Sequence, residues 1–429
     1  MKAAPFALRR EQFAALAQGG GGPSVVSLLA DARLSRTLQL VKHLAATQAS
    51  AAAVFALLVS LERASPGSVT RVLRHPSVGA WALRVAAREA PAAPGLHRIT
   101  LAAAVDAREP VTVEVFRCDV TIPGMGTVLL AEPGKTTVTP VAGGTRVGSA
   151  TIPADWRRGA DRWRPLPRVT VGTRERPATF ILDDWAGEDE PPSLRPDAAA
   201  VPATWRTALD SAWHVLTRHH PATADELPRA IKVVTPLPGG TASPVSGTAD
   251  AAFGCVFLSP PADPVTAAAS LAHELQHTKL IGLTDLFPLV SRDASRRYYA
   301  PWRTDPRPAS GLLHGCYAFA GVAAFWRNQR RAVAPPADRL FAETEFARWR
   351  KAVAEALAEL RAGNELTELG RQFTGLLADT IAGWLAEPVS RTAVAAARRL
   401  GSEHRGTWLS TNWGTHRQPD VDGLARFTG

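Results

Sequence analysis

Cysteine is scarce. The chain of 429 residues has three, Cys118, Cys255 and Cys316, widely spaced and with no C-x-x-C pair. Such a set builds neither a disulfide scaffold nor a zinc ribbon, and it suits a reducing cytosol. Long apolar runs are missing too: none reaches the ~18 residues a membrane span needs. The opening Met1-Lys-Ala-Ala-Pro-Phe-Ala-Leu-Arg-Arg10 has no apolar signal core and no cleavage pattern. A cytoplasmic protein without a membrane partner is therefore expected. Lysine is sparse as well, so the net charge of +10 is carried almost wholly by Arg. These Arg residues are scattered, and no block of five or six like charges occurs, which argues against a nucleic-acid partner. An acidic peptide is the partner such a charge would favour. Neither familiar Gly-rich phosphate loop is present, and no internal repeat is visible.

Hydrophobic residues make up 46% and charged residues 21% of the chain, enough for a sizeable core, and the length suggests two or three domains. Residues 1–95 read as a helical N-terminal region. Leu28, Leu29, Ala32, Leu34, Leu38, Leu40, Val41 and Leu44 keep near-helical spacing, Ala51 to Leu61 does the same, and a third helix follows His75-Pro76 with Trp81, Leu83 and Val85. His75, directly before a proline and without ligand partners nearby, reads as structural. Residues 96–197 form a β-rich middle region, with short alternating or β-branched runs at Leu101–Val105, Val111–Val115, Val128–Leu130, Thr136–Val141, Arg168–Val171 and Ala178–Leu182. The acidic, proline-rich Gly187–Ser193 reads as a linker. Residues 198–429 are helical again, apart from strands at Ile231–Thr235 and Gly254–Ser259 on either side of a Gly/Ser/Thr loop at 239–248. His219 and His220 read as a helix end. The fold class expected is α+β, mainly helical.

The motif that organises this last region is His273-Glu-Leu-Gln-His277. Asp263 is a good N-cap, Pro264 suits the first turn, and Gly282 reads as the C-terminal stop, so the stretch is expected to be a helix. Residues four apart lie one above the other on a helix, so His273 and His277 can share one metal, with Glu274 beside its open side. Two histidines do not complete a site. The positions three and six after His277 hold Leu280 and Leu283, which excludes the metzincin pattern. No Glu occurs from Thr278 to Leu340, which removes the thermolysin-type third ligand. Asp285 lies just past the helix end and lacks the Tyr-Gly that aspartate-type zinc proteases pair with it. His314, on the apolar run Ser310–Trp326 and the one histidine between His277 and His404, is the expected third ligand. Ser310 reads as that helix's cap, and Gly315, Ala318 and Gly321 as a surface for a neighbouring helix.

Three stretches together carry a resemblance: His273-Glu-Leu-Gln-His-Thr-Lys-Leu280, Tyr298-Tyr-Ala-Pro-Trp-Arg-Thr-Asp-Pro-Arg-Pro308 and Gly311-Leu-Leu-His-Gly315. They resemble the H-E-x-x-H domain family whose genes lie beside radical-SAM enzymes in clusters for ribosomally made, modified peptides. Leu73-Arg-His-Pro-Ser-Val-Gly-Ala-Trp81 extends the likeness towards the N-terminus. Members of that family are described as 2-oxoglutarate-dependent peptide β-hydroxylases. The resemblance implies an oxidoreductase, a non-haem Fe(II) and 2-oxoglutarate-dependent dioxygenase acting on a ribosomally synthesised precursor peptide, with a radical-SAM enzyme of the same cluster as a further partner.

Such chemistry needs protein ligands on one face of the iron and a cation for the far carboxylate of 2-oxoglutarate, preferably an Arg giving two parallel hydrogen bonds. Arg307, between two prolines, is the first candidate. Arg303 is the second, and Tyr299 is a nearby hydroxyl donor. Glu274 is the catalytic candidate, as an anchor beside the metal or a substitute ligand. Two other readings stay open. One is a zinc metallopeptidase with Glu274 as general base, and the other is a non-enzymatic module that holds the precursor peptide. If a peptide is the substrate, Gly254–Ser259 or the preceding loop is the expected edge for it to pair with.

Overall fold

The structure, a computed structural model, describes residues 6–88, 90–183, 202–239, 245–261, 263–291, 296–333 and 335–412. The expected linker at Gly187–Ser193 and part of the loop at 239–248 lie outside them. The fold is α+β, with about 59% helix and 15% strand. The chain forms two compact units, one of residues 22–282 and the other of residues 1–21 with 283–429.

Helix α1 (Arg10–Ala17) belongs to the second unit. The first begins with α2 (Gly22–Thr47), α3 (Ala49–Ala64), α4 (Ser68–Leu73), α5 (Pro76–Arg88) and α6 (Ala93–Ala107). Helix α6 includes Leu101–Val105, which the sequence pattern assigns to a strand. Leu96, Ile99 and Leu101 to Ala104 are all fully buried. A helix apolar on every side shows no 3.6-residue period, and periodicity alone cannot separate it from a buried strand. Pro94 in its first turn and the Ala102-Ala103-Ala104 run decide for helix.

The strands that follow form two small antiparallel sheets. One contains β1 (Val111–Val115), β4 (Gly134–Val141), β5 (Gly144–Val147) and β6 (Ala150–Pro153), in that spatial order. The other contains β2 (Asp119–Ile122), β3 (Gly126–Leu129) and β7 (Trp163–Pro165). The alternating burial of β1, exposed Glu114 against buried Val113 and Val115, is that of a sheet with one face on the core. Val113, Val138, Ile152 and Trp163 share one hydrophobic core with Leu44, Leu58, Leu96 and Ile99 of the helices.

A third sheet positions the H-E-x-x-H helix. After β8 (Arg168–Val171) and β9 (Ala178–Leu182) come α7 (Pro202–His219) and α8 (Pro221–Ala230), so His219 and His220 mark a helix end, as expected, and His220 also holds the N-cap position of the next helix. Then follow β10 (Val233–Pro236), β11 (Ser246–Gly247) and β12 (Cys255–Leu258). Their spatial order is β11-β12-β10-β9-β8, with β12 and β9 parallel to β10 and the two outer strands antiparallel. Every residue of β10 and β12 is buried, and such strands read as continuous apolar runs.

Strand β12 feeds α9 (Pro264–Thr284). Asp263 caps it: Oδ1 accepts from the backbone N–H of Val265 at 2.8 Å and of Thr266 at 2.9 Å. Gly282 does not stop the helix, which runs on for two more residues. A Cβ there would lie 3.0 Å from Leu29 Cβ and 3.1 Å from a ring carbon of Phe253, so glycine admits α2 to close contact inside the helix. Further along α9, fully buried Lys279 donates to Glu226 Oε2 of α8 at 2.8 Å, while Glu226 Oε1 accepts from Gly22 N at 2.7 Å. One carboxylate thus ties α9, α8 and the start of α2.

In the second unit, β13 (Arg297–Tyr298) pairs antiparallel with β14 (Arg307–Pro308) and leads into α10 (Ala309–Ala332), which is packed on α11 (Pro336–Ala362). Helices α12 (Glu368–Leu385) and α13 (Arg391–Asn412) complete it. Ser310 is not the cap of α10, since the helix begins one residue earlier, after Pro308. Gly315 does not receive a helix either: a Cβ there would lie 2.3 Å from the indole nitrogen of Trp302, so the glycine admits that ring. The turn at the C-terminal end of α12 is held by Glu387, which accepts from Arg327, Arg330 and Arg331 of α10.

Removing one partner of the Lys279–Glu226 pair leaves a buried charge alone. Glu226→Ala is expected to lower stability by about 3–5 kcal/mol, whereas Lys279→Met combined with Glu226→Leu costs much less. Urea unfolding of the two variants beside wild type measures the difference.

Candidate metal centre

Helix α9 is buried on nearly every side. From Leu271 to Leu283, His273 and His277 alone reach the surface, and both only partly. Their separation of four residues places the imidazoles one above the other. The two Nε2 atoms are hydrogen-bonded to each other at 3.1 Å, with ring centroids at 4.7 Å and planes at 74°. Two metal–imidazole bonds of about 2.1 Å, meeting at roughly a right angle, separate their nitrogens by about 3.0 Å. The pair therefore has the spacing of two ligands on one ion, and the donor set fits a divalent metal. Burial pushes the His273 imidazole down to about 4. At neutral pH the ring is uncharged and offers a lone pair, as a ligand must.

Glu274 is held under this pair and has no exposed surface. Its Oε1 accepts from Ser246 Oγ at 2.6 Å and its Oε2 from Thr248 Oγ1 at 2.5 Å. Ser246 lies on β11 and Thr248 just past it. Residues two apart in an extended segment face the same side, so both hydroxyls meet one carboxylate. Oε1 is 3.9 Å from His273 Nε2. Thr278 Oγ1 donates to the Glu274 carbonyl at 2.9 Å, fastening the same turn of helix. A buried carboxylate must be satisfied by donors, and this one is satisfied on both oxygens.

Ser246 and Thr248 are residues of the candidate site that reading the sequence missed. Their one signal was the hydroxyl-rich composition of the loop, which says nothing about where the hydroxyls point. The order of the sheet removes Gly254–Ser259 as the expected substrate edge and leaves the other alternative, the preceding loop, which contains β11. Strand β12 is interior, because β11 pairs with its outer side: Ser246 is opposite Leu258 and Gly247 opposite Phe257. The edge nearest the H-E-x-x-H helix is β11 itself.

The remaining candidates lie in the second unit. His314 sits half-buried on α10, one turn past Gly311. Arg307 lies at the start of that helix, its guanidinium beside Gly311, where a Cβ would come within 3.0 Å of Nε. Arg303 and Arg307 share one carboxylate: Asp305 accepts from Arg303 Nε at 2.9 Å and from Arg307 Nη1 at 3.1 Å. Two guanidiniums against one carboxylate leave a net positive charge at this turn. Tyr299 Oη lies 2.9 Å from His404 Nδ1, and its ring stands edge-on to Trp408. Tyr298 is engaged elsewhere, donating to Glu365 at 2.6 Å. Among the described residues, no group of three or more His, Cys, Asp and Glu side chains is gathered as a complete metal site.

The depressed His273 value gives a pH dependence. The unfolded imidazole takes up its proton near 6.5 and the folded one only near 4, so in that window the unfolded state binds more protons and stability falls as pH is lowered. Between about pH 7.5 and pH 5 the metal-free protein is expected to lose about 2 kcal/mol through this group. Urea unfolding at the two pH values, for wild type and His273→Asn, isolates the contribution. A second outcome concerns the clamp: Thr248→Val strips one donor from a buried carboxylate and should cost about 1.5–3 kcal/mol, read by the same titration.

No protein-family model matches the chain, and comparison with the curated proteins gives no match.

Proposed function

We propose that the chain is a cytoplasmic mononuclear-metal enzyme that hydroxylates the β-carbon of a residue in a ribosomally made precursor peptide, using iron and 2-oxoglutarate. The observation that carries the metal reading is the pair of imidazole nitrogens 3.1 Å apart, presented by a helix that is otherwise buried. The choice of hydroxylation rests on the resemblance of the His273–Leu280, Tyr298–Pro308 and Gly311–Gly315 stretches, as do the precursor peptide and the radical-SAM partner. Iron, when bound, would supply the means of activating dioxygen with 2-oxoglutarate as co-reductant.

The residues have separate tasks in this reading. His273 and His277 hold the metal, and His314 is the proposed third ligand on the ground of sequence. Glu274, clamped by Ser246 and Thr248, keeps the ligand-bearing turn in place. That role suits a carboxylate with no exposed surface better than that of a general base, which must face the water it deprotonates. Arg307 is proposed to hold the far carboxylate of 2-oxoglutarate, with Arg303 as its alternate and Tyr299 as a hydroxyl nearby; the charge left over at Asp305 supports this. A peptide adding along the outer edge of β11 would lie beside the strand that clamps Glu274.

The test is anaerobic iron loading of the full chain, followed by succinate formation against added 2-oxoglutarate. Iron binding and 2-oxoglutarate-dependent succinate are expected from wild type. His273→Ala, His277→Ala and His314→Ala should lose metal. Arg307→Ala should keep metal but weaken 2-oxoglutarate binding by roughly 2–5 kcal/mol. Peptide cleavage without 2-oxoglutarate or oxygen, abolished in Glu274→Gln with zinc still bound, would replace this reading with hydrolysis.

A further inference from the structure

The first unit contains a cavity of about 450 Å³ between α5, α6 and the β1–β2 segment, lined among others by Arg84, Arg98, Val115, Phe116 and Val120. That volume falls within the range of small-molecule sites. Two guanidiniums from different helices face it. Neither Arg84 nor Arg98 makes a hydrogen bond or ion pair among the described residues, and Nε of Arg98 is buried without a partner. Burial is the main cause lowering the pKa of Arg98, and the neighbouring charge of Arg84 adds to it; Asp183 offsets these in part. The buried Nε of Arg98 has almost no exposed surface, so the contacts offered to a ligand are the outer guanidinium nitrogens of the two residues lining the cavity, which match the oxygens of an oxyanion.

The carboxylates lining the cavity are engaged elsewhere or lie at its rim. Asp119 accepts from Arg117 Nε at 3.0 Å and Nη2 at 3.1 Å. Glu114 is exposed, and its charge acts on His97. The apolar part of the lining is equally specific. Phe116 is 51% exposed, with its ring centroid 6.0 Å from that of His97. Trp81 is fixed in the wall: a Cβ on Gly95 would lie 2.1 Å from its indole, so the ring covers that glycine closely.

We infer that this cavity binds a small molecule carrying an oxyanion, carboxylate or phosphate, on an apolar body, with Arg84 and Arg98 on the oxyanion and Phe116 against the apolar part. Guanidiniums suit either group, because their paired N–H donors match two oxygens of one anion. The site is independent of the histidine pair on α9 and of any metal there.

Calorimetric titration of the full chain with phenyl phosphate, phenylacetate and inorganic phosphate tests it. At least one aromatic probe should bind at one site, more tightly than inorganic phosphate. Arg84→Gln should weaken that binding about ten- to hundredfold, the effect of losing a charged hydrogen bond. Phe116→Ala should weaken the aromatic probe and leave inorganic phosphate unchanged. Because the Asp183 charge acts on Arg98, replacing Arg98 disturbs the buried surroundings, and the two exposed-side variants carry the test. Preference for phenylacetate identifies a carboxylate ligand and preference for phenyl phosphate a phosphate; either sustains the site. No binding of either aromatic probe, or binding that both variants leave unaltered, overturns it.

Discussion

A carboxylate with no exposed surface in the middle of a buried helix has to be given donors, and meeting that requirement organises the first unit around α9. Glu274 takes its donors from Ser246 and Thr248, which forces the segment at 246–248 to run extended along the outer side of β12. The same demand recurs further along the helix, where Lys279 is buried and Glu226 is brought from α8 to meet it. Polar groups on a helix of this kind act as fixed registration points. An apolar contact could slide by half a turn, whereas a buried charge with one partner cannot without large cost.

This rigidity has a direct consequence for the imidazoles. Held by the segment at 246–248, by Glu226 of α8 and by Leu29 of α2, the helix has little freedom to rotate, and His273 and His277 are the groups left at its open side. Their mutual distance is set by helix geometry, and their presentation by the packing of the opposite face. Preorganisation of this sort is what a pair of metal ligands would require.

The second unit solves a different problem. The turn from β13 to α10 concentrates basic side chains, and Asp305 is placed between Arg303 and Arg307, just as Glu387 collects Arg327, Arg330 and Arg331. In an Arg-rich chain, acidic residues become the scarce component. Around Arg84 and Arg98 the neighbouring Asp119 is taken up by Arg117, and two guanidiniums line a cavity. Composition thus shapes local electrostatics even where it carries no functional message of its own.

The sequence by itself determined the helix from Pro264, its Asp263 cap and the two histidines on one face, because capping and the 3.6-residue period act within a few residues. Among the described residues it likewise determined seven of the fourteen strands, β1, β3, β4, β8, β9, β10 and β12, from alternating or continuous apolar runs. Tertiary structure buried α6 on every side, and a segment apolar on all sides loses the periodicity that would identify it. It decided that Gly282 serves close packing against Leu29 and Phe253, that β12 is interior and β11 the edge, and that Ser246 and Thr248 reach Glu274. Each of these depends on a partner brought close only when the chain has folded, 26 to 28 residues away for the hydroxyls and more than 250 for Leu29 and Gly282. Local sequence contains no record of such a neighbour.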